Sequence, residues 1–397
     1  MDENRRAFFE ILRAAMRGEK CSLENQAGVL DLAKSNSILP MIADALTPEE
    51  SANTVIVAQA RNLVIGQAQR TADFLFLLED LEQRGLRPIV VKGIVCRSLY
   101  PKPELRCSAD EDLWIPEADY ERYRTALVSL GYNPEKEGSA NEKNYEIGFC
   151  NSSIPLLLEL HTSLFPPDSE AFGDCNRLFE GASEKTTEIT YEGVVIRTLA
   201  PTDHLLFLLC HAYKHFLHSG IGLRQLCDIV RMAEQYREEI DWPQVRASCD
   251  LVHITQLCAA MFRIGENNLG VLMPKAFSDV EVDESALLED ILSGGRYIDN
   301  DIDRAHSSTL TLEAVSAARS GRRRKGALHS VFLPLDAMRG HFPYLRKFPW
   351  LLPVAWIQRI YRYLARKRNP NPVSPSRSLQ IARERIELLK EYQLIEE

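Results

Sequence analysis

The chain has 397 residues, of which 45% are hydrophobic and 26% charged, and a formal net charge of −9. That balance suits a globular protein of two or three domains and excludes a collagen-like or disordered chain. No apolar run approaches the roughly 18 residues of a membrane span, and the N-terminal Met-Asp-Glu-Asn-Arg-Arg lacks the order of a secretory signal. Nine cysteines are scattered without a CxxC pair. This argues against a disulfide framework or a zinc ribbon and points to the cytoplasm. The charge is uneven. Residues 321–368 hold twelve Lys or Arg against the single acidic Asp336, so that segment is +11 and the remainder −20.

In chain order, residues 1–75 read as helical, with Phe8, Ile11, Leu12 and Ala15 at helical spacing. A further helix is expected over 72–84, closed by Gly85. Pro88 to Gly93 reads as a short buried strand feeding a glycine turn. Ile94 to Tyr100 reads as a short helix, Asp112 to Ile115 as a strand, and Glu117 to Leu130 as a helix closed by Gly131. Tyr145 to Cys150 and Ile154 to Leu160 read as an antiparallel pair, and Ile189 to Thr198 contains a hairpin turned at Glu192-Gly193. From Pro201 to about 320 the pattern is helical again. A basic, aromatic tail follows, then a proline-rich loop and a final helix over 379–394. The expected domains are a helical region at 1–75, a mixed core at 76–200, a helical domain at 201–320 and the tail at 321–397.

The chemistry concentrates at Asp110-Glu111-Asp112, which leads into an apolar run. In an extended chain Asp110 and Asp112 share one face. Glu159 ends a later apolar run, where a lone buried carboxylate would be costly. Three converging carboxylates call for a cation, and hard oxygen ligands suit Mg²⁺ or Mn²⁺. His161 shares the face of Glu159, where it supports the metal from behind, binds the nucleotide substrate, or is an ordinary strand-end histidine. His204, His211, His215 and His218 form a narrow stripe at about 100° per residue. A structural or substrate-lining stripe is expected there rather than zinc, because no HExxH pattern follows.

The stretch VVKGIVCRSLYPKPELRCSADEDLWI resembles the uncharacterised nucleotidyltransferase family of bacteria, on the fold that also carries DNA polymerase beta. LLLELHTSL resembles that family's later acidic-x-His strand, and HLLFLLCHAYKHFLHSGIGLRQLCDIV its helical segment. The tail FPWLLPVAWIQRIYRYLARK is similar to that of many members. The resemblance implies an α+β architecture, with a nucleotidyltransferase core of small mixed sheet and helices flanked by N- and C-terminal helical regions. It implies Asp110, Asp112 and Glu159 as metal ligands, with Glu159 also eligible as the base. It implies Lys92 and Gly93 at the triphosphate, where Ile94 replaces the hydroxyl residue common in the wider superfamily. Arg106 is expected either to bind triphosphate or to pair with an aspartate. His211 is expected to line the cleft. Arg224 either pairs with Asp228 on its own helix or contacts the triphosphate or acceptor.

The expected reaction moves an NMP from an NTP donor to an acceptor hydroxyl. The acceptor is left open among a small molecule, peptide, protein or RNA. A catalytically silent nucleotide-binding scaffold and a toxin-like enzyme modifying tRNA or protein are the alternatives. In the tail, Trp350, Trp356, Tyr361 and Tyr363 interleave with Arg359, Arg362, Arg366, Lys367 and Arg368. They are expected to pack on the protein, with weak contact to an anionic membrane surface as the other reading.

Overall fold

The computed structural model describes residues 3–22, 27–47, 54–135, 145–169, 171–218, 220–293, 342–358 and 375–395, together with Thr311, Leu312, Val315, Leu335 and Met338. The contact pattern divides the chain into two units, 1–216 with 220–298, and 217–219 with 299–397.

The first unit opens with helices α1 (Glu3–Arg17), α2 (Ala27–Ser35), α3 (Leu39–Ala45) and α4 (Thr54–Gln83). The sequence pattern divides the α4 region in two near residue 72, but the helix is continuous over 30 residues. Gly66 is its only breaker, and a lone glycine weakens a helix by only about 1 kcal/mol. At its end Gly85 takes φ +71°, and Leu86 N–H reaches back to the Leu81 carbonyl at 2.9 Å. That left-handed closure is what a glycine after the last turn permits.

The core that follows is a five-stranded sheet. Its strands are β1 (Ile89–Val90), β2 (Asp110–Trp114), β3 (Asn133–Pro134), β4 (Glu146–Cys150) and β5 (Leu157–His161), in spatial order β1-β2-β5-β4-β3. The short α5 (Ile94–Arg97) joins β1 to the loop before β2, and α6 (Tyr120–Ser129) follows β2. The expected antiparallel pairing of β4 with β5 is present. Two features are not local properties of the sequence: the edge strand β3, and the parallel pairing of β2 with β5. Strand β2 also begins at Asp110, two residues earlier than its apolar run suggests, so both aspartates lie in the ladder.

Alternation then divides the sheet into two faces. Leu113, Phe149, Leu158 and Leu160 pack with Phe74 and Leu81 of α4 and Tyr123 and Leu127 of α6 in one buried cluster. Asp110, Asp112, Glu159, His161 and Glu146 take the opposite parity. The expected hairpin is β6 (Thr186–Tyr191) and β7 (Val194–Leu199). Its turn residues Glu192 and Gly193 have φ of +48° and +88°, the two positive values of a tight hairpin turn. Helices α7 (Pro201–His218), α8 (Leu223–Gln235), α9 (Trp242–Leu251), α10 (Thr255–Ile264) and α11 (Ser285–Leu292) complete the helical region.

In the second unit Met338, Phe342, Leu345 and Ala355 form a small core, and a last helix runs Pro375–Glu391. The basic run Arg322 to Lys325 and the tail residues 359–368 lie outside the described residues. Among the described residues no helix is long and apolar enough to cross a membrane. The α+β class expected from the sequence is the one observed: a small mixed sheet with helices.

Candidate active site

The parallel register sets Asp112 of β2 beside Glu159 of β5, and the antiparallel register on the other side sets Glu146 beside His161. Four chemical groups from three strands therefore share one face. Asp112, Glu159 and His161 each offer one ligand atom, and these atoms lie within 4.8 Å of one another. His161 Nε2 is 3.2 Å from Asp112 Oδ1 and 3.8 Å from Glu159 Oε2. Two anionic oxygens and an imidazole nitrogen, converging on one face of the sheet over β2 and β5, form a donor set that fits a divalent cation.

The compact trio differs from the one expected. His161 stands with Asp112 and Glu159 in this cluster, whereas Asp110 is not among its three members. Lys92 Nζ lies 3.2 Å from Asp110 Oδ2 and 3.1 Å from Asp112 Oδ2, with only 6% of its side chain exposed. Lys92 is thus a buried partner of both aspartates.

Backbone contacts explain why Lys92 stands there. Val91 N–H donates to the Asp112 carbonyl at 3.1 Å, and His204 Nε2 lies 2.9 Å from the Val91 carbonyl. Gly93 then turns with φ +59°. A Cβ at this position would lie 1.9 Å from Glu111 Oε2. Glu111, between the two aspartates, points to the opposite face of the sheet. Its Oε2 accepts the Ile94 N–H at 2.8 Å, and its other oxygen pairs with the fully buried Arg97. So the glycine is required by the approach of a carboxylate from the protein itself. The expected route for phosphate onto the amides of this turn is narrowed, since the Ile94 N–H already has an acceptor.

The electrostatics follow from this packing. Burial works to raise the Asp112 carboxyl, but the Lys92 ammonium and the hydrogen bond from His161 prevail and bring it to about 2. Burial, and after it the Asp112 carboxylate, lifts Glu159 to about 7 against the pull of Lys92. Glu146 is kept below the usual carboxylate range: burial opposes this, but the Lys214 ammonium outweighs it. Lys214, from α7, contacts Glu146 Oε2 at 2.8 Å and lies 5.3 Å from the centre of the Tyr145 ring. Burial lowers Lys214, but the Glu146 carboxylate more than compensates and raises it.

The arginines serve the approach to β2. Of the two expectations for Arg106, the structure favours the ion pair, and its partner is Asp228. Arg106 is 1% exposed, with Nε 3.1 Å from Asp228 Oδ1 and Nη2 on Oδ2. Tyr100 donates a third bond to the same carboxylate at 2.9 Å. The expected pairing of Arg224 with Asp228 gives way to this arrangement, and Arg224 donates to the Cys107 carbonyl. Ser108 N–H donates to Gln67 Oε1 at 2.7 Å. These contacts fasten the loop that delivers Asp110. His211 packs on Phe207, with ring centres 5.5 Å apart, and its Nε2 lies 3.2 Å from that of His215. The structure does not bring it into the acidic trio.

The sequence does not single out Glu146 or Lys214, and it marks Glu111 and His204 only as members of the acidic motif and the histidine stripe, without the contacts they make. Glu146 was within reach: pairing the two expected strands antiparallel and extending the alternation sets it opposite His161. The other three depend on contacts between elements distant in sequence.

Residues 23–270 match the family described as uncharacterised nucleotidyltransferase. No curated protein and no solved structure matches the chain. The match spans most of the first unit, including the sheet, the DxD strand and the acidic-x-His strand. The chain belongs to the uncharacterised nucleotidyltransferase family, and its activity is that of a transferase.

Proposed function

We propose that this transferase moves an NMP from an NTP to an acceptor hydroxyl and releases pyrophosphate, using Mg²⁺ or Mn²⁺ held by Asp112, Glu159 and His161. The observation that carries this reading is the parallel register of β2 on β5, which gathers the three donors. In the reaction the acceptor oxygen bonds to the α-phosphorus, and the bond from that phosphorus to the pyrophosphate oxygen breaks. The hydroxyl proton passes to Glu159. In the metal-free protein Glu159 stands near 7; a cation bound beside it would lower that value and keep the carboxylate ionised, as a proton acceptor must be. Asp112, held ionised near 2, does not compete for the proton. A divalent cation bound here neutralises phosphate charge and acidifies the acceptor hydroxyl. Lys92 and Lys214 flank the carboxylates, and we assign both to the donor's phosphates.

The test is thermal unfolding of the full chain with each of the four NTPs, with and without Mg²⁺ or Mn²⁺, alongside pyrophosphate release. Stabilisation by at least one nucleotide should require the cation and vanish in Asp112→Asn and His161→Ala. No cation-dependent shift with any NTP would overturn the proposal. One observation favours the silent alternative: Lys92 already neutralises two carboxylates. That reading predicts nucleotide binding that neither needs the cation nor leads to pyrophosphate.

A further inference from the structure

Asp110 and Asp112 turn their Oδ2 atoms to the Lys92 ammonium, at 3.2 and 3.1 Å. A charged amine this well buried is retained because it is paired, and the paired aspartates keep their charge for the same reason. A divalent cation seeking those oxygens meets a like charge already on them. The backbone at Lys92 is fixed on both sides, by the Val91 bonds to Asp112 and His204 and by Glu111 on the Gly93 turn. Its four-carbon stem is flexible, so the ammonium can leave while the strand stays in place.

We infer that Lys92 is a built-in counter-cation that holds Asp110 and Asp112 ready and leaves them when the carboxylates take up a metal ion. This rests on the metal reading proposed above. It reconciles the two sets of ligands. While Lys92 is seated, the compact trio is Asp112, Glu159 and His161; once it swings away, Asp110 Oδ2 is released to join them. The released ammonium needs a new anion, and a triphosphate supplies one. Metal and nucleotide should therefore bind cooperatively, each weakly alone, so that the carboxylates take up a metal fully only when there is a donor to use it.

The test is calorimetric titration of the full chain with Mn²⁺ alone, without nucleotide, for the natural protein, Lys92→Met and Lys92→Arg. Lys92→Met should bind Mn²⁺ at least about tenfold tighter, because a like charge is gone. Lys92→Arg keeps the charge and should bind like the natural protein. Equal or weaker binding by Lys92→Met overturns the inference and leaves the metal reading standing. Absence of binding in all three overturns both. Should Lys92→Met fail to fold, amine acetylation of the natural protein decides, with the exposed Lys275 as reference. Saturating Mn²⁺ should raise labelling at Lys92 several-fold relative to Lys275, and unchanged labelling overturns the inference.

Discussion

Glu159→Gln should remove activity and at the same time make the metal-free protein more stable. Burial and the Asp112 carboxylate lift Glu159 from 4.5 to about 7. Below pH 4.5 the folded and unfolded chains both keep this proton, and the group contributes nothing. Between 4.5 and 7 the unfolded chain releases it first, so the folded state progressively loses stability. Above 7 the full penalty applies. A displacement of this size corresponds to at most about 3 kcal/mol. The side chain is 23% exposed, so solvent screens little of the effect. Glutamine has nearly the same shape and no charge, and recovers that energy at pH 8 but not at pH 4.5. Thermal unfolding with a chelator present should show the variant higher by on the order of 5 °C at pH 8 and by no more than about 1 °C at pH 4.5. Adding Mn²⁺ should then stabilise the natural protein more than the variant. A variant no more stable than the natural protein at pH 8 would refute the claim that burial and the Asp112 carboxylate hold Glu159 at a cost when it is ionised.

His204 works in the opposite direction. Burial brings it from 6.5 to about 4, although the hydrogen bond to the Val91 carbonyl pulls it up. Its contribution is complete above pH 6.5 and is lost as the pH falls towards 4, up to about 3 kcal/mol. His204→Gln should be less stable at pH 7 but show a flatter acid limb in denaturant unfolding, and an unchanged limb would sink this assignment. Arg106→Leu and Asp228→Leu should each destabilise by about 3–5 kcal/mol through the orphaned partner, and the double variant by less than their sum. Additive losses in a double-mutant cycle would contradict the pairing. Gly93→Ala should lower stability by about 2 kcal/mol or more, because it combines a left-handed backbone with a clash on Glu111. Unaltered unfolding of that variant would argue against the turn described here.

Much of this protein is legible in its sequence because much of it is local. Glycine at 85, 131 and 193 and the short apolar runs around Asp112 and Leu158 mark turns and strands without reference to any distant residue, and strand alternation follows from them. The same alternation puts Asp110 with Asp112 and Glu159 with His161. Local signals were less reliable at element ends. The region around residue 72 is one helix, and Ile94 to Tyr100 forms a helix only as far as Arg97. Which strand lies beside which is a matter of pairing across the chain. Only the parallel β2–β5 register makes Asp112 the neighbour of Glu159.

The sequence by itself determined the family, the α+β class and the face on which the carboxylates stand, since these follow from residue order and backbone periodicity. The tertiary structure decided their partners. It gave Asp228 to Arg106, Glu111 to the Gly93 turn, Glu146 to Lys214, and Lys92 to both aspartates. The reason is physical: a buried charge takes whichever opposite charge the packed elements bring within about 3 Å, and that distance depends on the packing of the whole fold.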